Sequence, residues 1–74
     1  MKVINQLKTG QRIKELAVIH GYTASSLSSK LFVSEQTVFK WYSGVNVPRI
    51  DVLISMSELF GVLIDELVVR DEIA

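Results

Sequence analysis

Apolar residues along this chain recur three and four positions apart, in segments broken by glycine, serine or proline, the pattern of short amphipathic helices. A first helix is predicted from about Ile4 to His20, with Ile13, Leu16 and His20 on one side and Arg12, Lys14 and Glu15 turned elsewhere; Gly21 ends it. Thr23 is placed to cap a second helix over 24–31, where Leu27 and Leu31 lie four apart and Ser25, Ser26, Ser28 and Ser29 fill the other faces. Ser34 caps a third over 35–42, whose first turn, Glu35-Gln36-Thr37, suits the positive end of a helix. Ser43-Gly44 stops it, and the stretch to Pro48 reads as a loop. Ile50, Leu53, Ile54, Met56 and Leu59 set a fourth helix over 50–60, closed by Gly61; Ile64, Leu67 and Val68 set a fifth over 63–68. Val69 to Ala74 reads as a fraying end or an extension. No stretch alternates as a half-buried strand does, so the expected fold class is all-α, a single domain over 1–74 with five helices and short loops.

A chain of 74 residues buries only roughly 60% of the surface it exposes when unfolded, so its stability margin is thin. With no cysteine and one histidine, His20, neither disulfides nor a zinc site can staple it, and helix packing or dimerisation must do so. His20 itself reads as a helix-end residue interacting with carbonyls or the helix dipole. No metal and no cofactor is expected, and no paired carboxylates, Cys/His set or glycine-rich phosphate loop suggests an enzyme. The 49% hydrophobic content never gathers into the roughly 20-residue run that spans a bilayer. Its dispersal, with a mean hydropathy of +0.33, suggests a further buried surface such as a subunit interface. The segment MKVINQLKTGQ lacks the apolar core of a signal peptide, and the missing cysteines fit a reducing compartment, so a cytoplasmic location is expected.

The formal net charge of zero conceals a division. Residues 1–49 carry seven basic side chains against two acidic ones, and residues 50–74 carry one basic against six acidic, giving halves of +5 and −5. Such asymmetry points to nucleic acid. The second and third helices, each about two turns long and joined by about three residues, have the spacing of a helix-turn-helix from Thr23 to Ser43. Holding the pair rigid requires Leu27, Leu31, Val33, Val38 and Trp41 inside, which leaves Glu35, Gln36, Phe39, Lys40 and Ser43 outside.

The run Gly10-Gln11-Arg12-Ile13-Lys14-Glu15-Leu16, then Gly21-Tyr22-Thr23, Leu27, Lys30-Leu31, Val33-Ser34, Gln36-Thr37-Val38, Lys40-Trp41, Gly44 and Pro48 resembles the Cro/CI-type (XRE) repressor family. Leu59-Phe60-Gly61-Val62 followed by Asp65-Glu66-Leu67 is similar to that family's closing pattern. The resemblance covers roughly residues 9–68. It implies a lambda-repressor-like five-helix domain that binds double-stranded DNA as a homodimer, with two third helices in major grooves about 34 Å apart or a multiple of it. On that reading Gln36 contacts adenine, Lys40 donates to guanine, Glu35 accepts from cytosine and Phe39 presses on a thymine methyl. Thr23, Ser25, Ser34, Ser43, Asn46 and Arg49 occupy the capping and loop positions where the family meets phosphate, with Arg49 the main anchor. Ile64, Leu67, Val68 and Val69 are the candidate dimer interface.

Four positions depart from the family pattern. Ala24 stands where many relatives begin the second helix with glutamine, and Ala17 and Tyr42 replace an arginine–glutamate pair together. Phe32 occupies the usual turn glycine, so either the turn is rebuilt or Phe32 has a partner, because a positive φ strains a bulky residue. The alternative on the same fold is a protein-interaction module, an antitoxin or antirepressor that sequesters a protein partner through Phe32, Phe39 and Tyr42.

Overall fold

The computed structural model describes residues 2–72. In chain order it comprises β1 (Lys2–Ile4), α1 (Gln6–Ile19), α2 (Ala24–Leu31), α3 (Glu35–Tyr42), α4 (Ile50–Phe60), α5 (Ile64–Leu67) and β2 (Arg70–Glu72). Three helices start where a short polar side chain can take up a free backbone N–H. The Asn5 side chain accepts from the Lys8 amide at 2.9 Å, Thr23 and Ser26 form a reciprocal box, and Ser34 Oγ accepts from the Thr37 amide at 3.1 Å. Caps at Thr23 and Ser34 thus fix the ends of both helices that define the candidate interface.

The core draws on every helix: Ile13 and Ala17 of α1, Leu27 and Leu31 of α2, Val38 and Trp41 of α3, Leu53, Met56 and Phe60 of α4, and Leu67 of α5. Val33 packs against this cluster half-buried, so all five residues expected to brace the helix-turn-helix from inside do so. Helices α1 and α3 cross at Gly10. A Cβ added there would stand 1.8 Å from the Trp41 carbonyl oxygen, a separation that only glycine avoids. At its far end α1 meets α4, where His20 stacks on Phe60 with ring centroids 5.5 Å apart; His20 is the C-cap residue of α1.

The ends of the chain differ from the helical expectation. Residues 2–4 pair antiparallel with residues 70–72, in the register Lys2 to Glu72, Val3 to Asp71 and Ile4 to Arg70. Helix α1 consequently begins at Gln6 rather than Ile4. The Asn5 amide donates to the Val69 carbonyl at 2.8 Å and its side chain to Asp71 at 2.7 Å. One turn further on, the buried Thr9 hydroxyl accepts from the Val69 amide at 3.0 Å and donates to the Val69 carbonyl at 3.3 Å. The segment after α5 is therefore bonded back onto β1 and the start of α1 through residue 72; the expected extension also included residues 73–74, which lie outside the described residues.

Candidate nucleic-acid interface

Every residue on the predicted outer face of α3 is exposed: Glu35, Gln36, Phe39, Lys40 and, at its C-cap, Ser43. Among the described residues the Glu35, Gln36 and Lys40 side chains engage no hydrogen bond or ion pair within the chain. Polar groups held on a rigid helix with their bonding capacity unspent can meet an external partner without first breaking internal bonds. Val38 and Trp41, on the opposite face, fix the rotation of the helix by burial.

The hydroxyls expected at phosphate are partly committed to local structure. Thr23 and Ser34 serve as caps, and Ser43 Oγ donates to the Phe39 carbonyl at 2.8 Å. Ser25 is exposed at the start of α2, with its carbonyl accepting from Ser28 Oγ at 2.7 Å. Asn46 is exposed in the loop before α4. Arg49 is exposed as expected, but it is not an uncommitted cation: its guanidinium bonds Asp51 at 3.3 and 3.5 Å. That hydrogen bond holds the Asp51 carboxyl below the usual carboxylate range and raises the arginine further. Arg12 donates to the Glu66 carbonyl at 3.3 Å and ties α1 to α5.

Phe32 answers the question its position poses. It keeps the left-handed conformation of the usual turn glycine, φ 57° and ψ 41°, and its side chain is 95% exposed. The turn is not rebuilt, and Phe32 gains no packing in return. Phe39, 53% exposed, instead leans on Tyr42, edge to face with centroids 6.4 Å apart. Burial pushes the Tyr42 hydroxyl above its ordinary range, and the Lys14 ammonium lies 5.9 Å from the centre of its ring. The pair replacing the family's arginine and glutamate is thus apolar at Ala17 and aromatic at Tyr42. Phe32 and the Phe39–Tyr42 pair line different hollows, so the three aromatics do not form one patch.

A helix-turn-helix family model (HTH_3) matches residues 13–67, most of the chain and all of α2 and α3. The chain belongs to the XRE-type helix-turn-helix family. Members of this family are DNA-binding transcription regulators rather than enzymes. The HTH-type transcriptional activator BcrR of Enterococcus faecalis is 33% identical over 70 residues, 95% of this chain. The chain spans only 30% of the length of that relative. A transcriptional regulator from Listeria innocua superposes with a TM-score of 0.77 at 30% identity, covering 89% of this chain and 63% of that one. The biofilm master regulator SinR, in complex with DNA, superposes at 0.70 with 29% identity, covering 78% and 97%. The restriction-modification controller C.AhdI of Aeromonas hydrophila gives 0.74 at 19% identity over 84% and 94%, a likeness of fold alone. The lambda-repressor-like five-helix reading of the sequence is thereby established, with the terminal ribbon added to it.

At the candidate dimer patch one residue is corrected. Leu67 is fully enclosed in the chain's own core and offers no surface to a second copy, whereas Ile64, Val68 and Val69 are half-buried. Among the described residues no helix is long and apolar enough to cross a membrane.

Proposed function

We propose that the chain is a cytoplasmic, sequence-specific regulator of transcription that binds double-stranded DNA as a homodimer, with α3 in the major groove. The observation that carries this reading is the outer face of α3: Glu35, Gln36 and Lys40, capped into register by Ser34 and free of internal bonds among the described residues. Gln36 reads adenine, Lys40 guanine and Glu35 cytosine, while Phe39 meets a thymine methyl at the edge of the Tyr42 ring. Thr23, Ser25, Ser34, Ser43, Asn46 and Arg49 set the register on phosphate. Ile64, Val68 and Val69 form the contact with the second copy. Repression is the proposed mode, since occupying a promoter-overlapping duplex requires no contact beyond the DNA. BcrR is named an activator, so a reporter measurement decides the sign: expression that falls with added protein supports repression, and expression that rises reverses it.

Titrating the protein against its own upstream DNA and a scrambled duplex, at several salt concentrations, tests the reading. Preference for the upstream DNA, with affinity falling linearly on a double-logarithmic salt plot, supports it; no binding at low salt refutes it. For the interface, Val68→Asp shifts sedimentation toward monomer, and an unchanged mass rejects that patch. One observation favours a second reading: a bulky apolar residue held strained and 95% exposed, as Phe32 is, suits a protein partner. If that reading is correct, Phe32→Ser abolishes partner capture and leaves DNA affinity unchanged.

A further inference from the structure

The positions where the chain departs from its family at Ala24 and Tyr42 come together in space. Between the end of α1, the start of α2 and the end of α3 lies a hollow of about 680 Å³ lined by Lys14, Val18, Ala24, Phe39, Tyr42 and Ser43, among others. Its volume falls in the range of small-molecule sites, roughly 300–1,000 Å³, and it lies open to solvent. Val18 and the Phe39–Tyr42 pair make apolar walls. Ala24, half-buried, lines the hollow with a methyl group alone. The Lys14 ammonium lies over the Tyr42 ring and has no carboxylate partner among the described residues. An open, largely apolar hollow with one unneutralised cation at its edge matches a molecule with an apolar body and a single negative charge.

We propose that this hollow is an effector site for a small aromatic anion, a carboxylate or sulfonate class of ligand, whose occupancy opposes DNA binding. The ring enters between Val18 and the Phe39–Tyr42 pair, and the anionic group meets Lys14. Opposition to DNA rests on the reading above, because Phe39 and Ser43 belong both to the hollow and to the face turned toward DNA. A ligand that weakens DNA binding is weakened by DNA to the same factor.

The probe is anilinonaphthalene sulfonate, titrated by fluorescence with amide NMR spectra at saturation. One saturable site is expected, with shifts centred on Val18, Ala24, Phe39 and Tyr42. Ala24→Leu, which fills the hollow, weakens binding about tenfold, and Lys14→Gln weakens the sulfonate about fivefold while leaving neutral N-phenylnaphthylamine unchanged. Thermal melts check that each variant folds; if Ala24→Leu does not, Ala24→Gln fills the same space with the side chain common in relatives. Absence of saturation, shifts centred on Phe32, or equal weakening of both probes by Lys14→Gln overturns the site. Operator affinity measured with saturating probe is expected to fall about tenfold, and an unchanged value overturns the opposition to DNA while the site stands. A protein that binds the probe as described but no duplex refutes the regulator reading and, with it, the effector role.

Discussion

Phe32→Gly should stabilise the protein. Phe32 sits at φ 57° and ψ 41° as the C-cap residue of α2, a conformation that costs a residue with a Cβ about 1–2 kcal/mol. Glycine removes that strain but adds freedom to the unfolded chain, returning about 0.4–1 kcal/mol. The ring contributes little that would be lost: full burial of a phenylalanine is worth about 1.5–3 kcal/mol, and this one is 95% exposed. The net gain is about 0.5–1 kcal/mol, which for a domain of this size raises Tm by about 3–6 °C. Trp41 is the sole tryptophan and is buried, so its fluorescence follows urea unfolding directly. Phe32→Ala separates the two contributions, because alanine loses the ring and retains the strained Cβ; it should stay within about 0.3 kcal/mol of the parent. If Phe32→Gly proves no more stable than Phe32→Ala, the strain argument is wrong. If Phe32→Ala alone costs more than about 1 kcal/mol, the ring packs against the protein after all.

Three further outcomes can be checked by unfolding or binding. Gly10→Ala drives a methyl into the Trp41 carbonyl and forces α1 off α3, so a loss of about 3 kcal/mol or more in urea unfolding is expected; a loss under 1 kcal/mol contradicts the close crossing. Thr9→Val keeps the shape but strands the Val69 amide, costing about 1–3 kcal/mol and speeding exchange of the residue 69–71 amides; unchanged exchange rejects the clasp. Asp51→Asn frees Arg49 for phosphate and should steepen the salt dependence of DNA binding by up to about 0.9 in log–log slope, whereas an unchanged slope leaves Arg49 out of the contact. Because Arg49 lowers the Asp51 pKa, whatever the pair adds to folding is present above the ordinary carboxylate pKa and lost only as pH falls through the lowered value, so the pair is intact at neutral pH.

The helices, and the starts of α2 and α3, were legible because their causes are local: the three-and-four spacing of apolar residues, and Thr23 and Ser34 as oxygen-bearing residues just ahead of such a run. The ribbon was not, since three-residue strands show no usable alternation and their partners lie nearly the whole chain apart. Leu67 shows a second limit. Periodicity marks a residue as apolar and facing inward, but does not say whether its cover comes from its own chain or from a second copy. The family's turn glycine raised the question of strain at Phe32, while its left-handed conformation and its isolation required the structure. For Arg49 a signal was available and overlooked: Asp51 follows two residues later, across the start of α4, where an exposed arginine readily turns to it. Ala24 reads in sequence only as a departure from the family's glutamine, and only the convergence of α1, α2 and α3 shows the hollow that it borders.

The central claim is that α3 reads bases through Gln36 and Lys40. Fluorescence anisotropy of the parent, Gln36→Ala and Lys40→Ala against an operator duplex and its single-base-pair variants at fixed salt tests it most directly. Each substitution is expected to cost about 1–3 kcal/mol on the parent duplex and to erase discrimination at one base pair, a different one for each. An equal loss on every duplex, with base preference intact, would contradict the claim and leave α3 as a phosphate-binding helix.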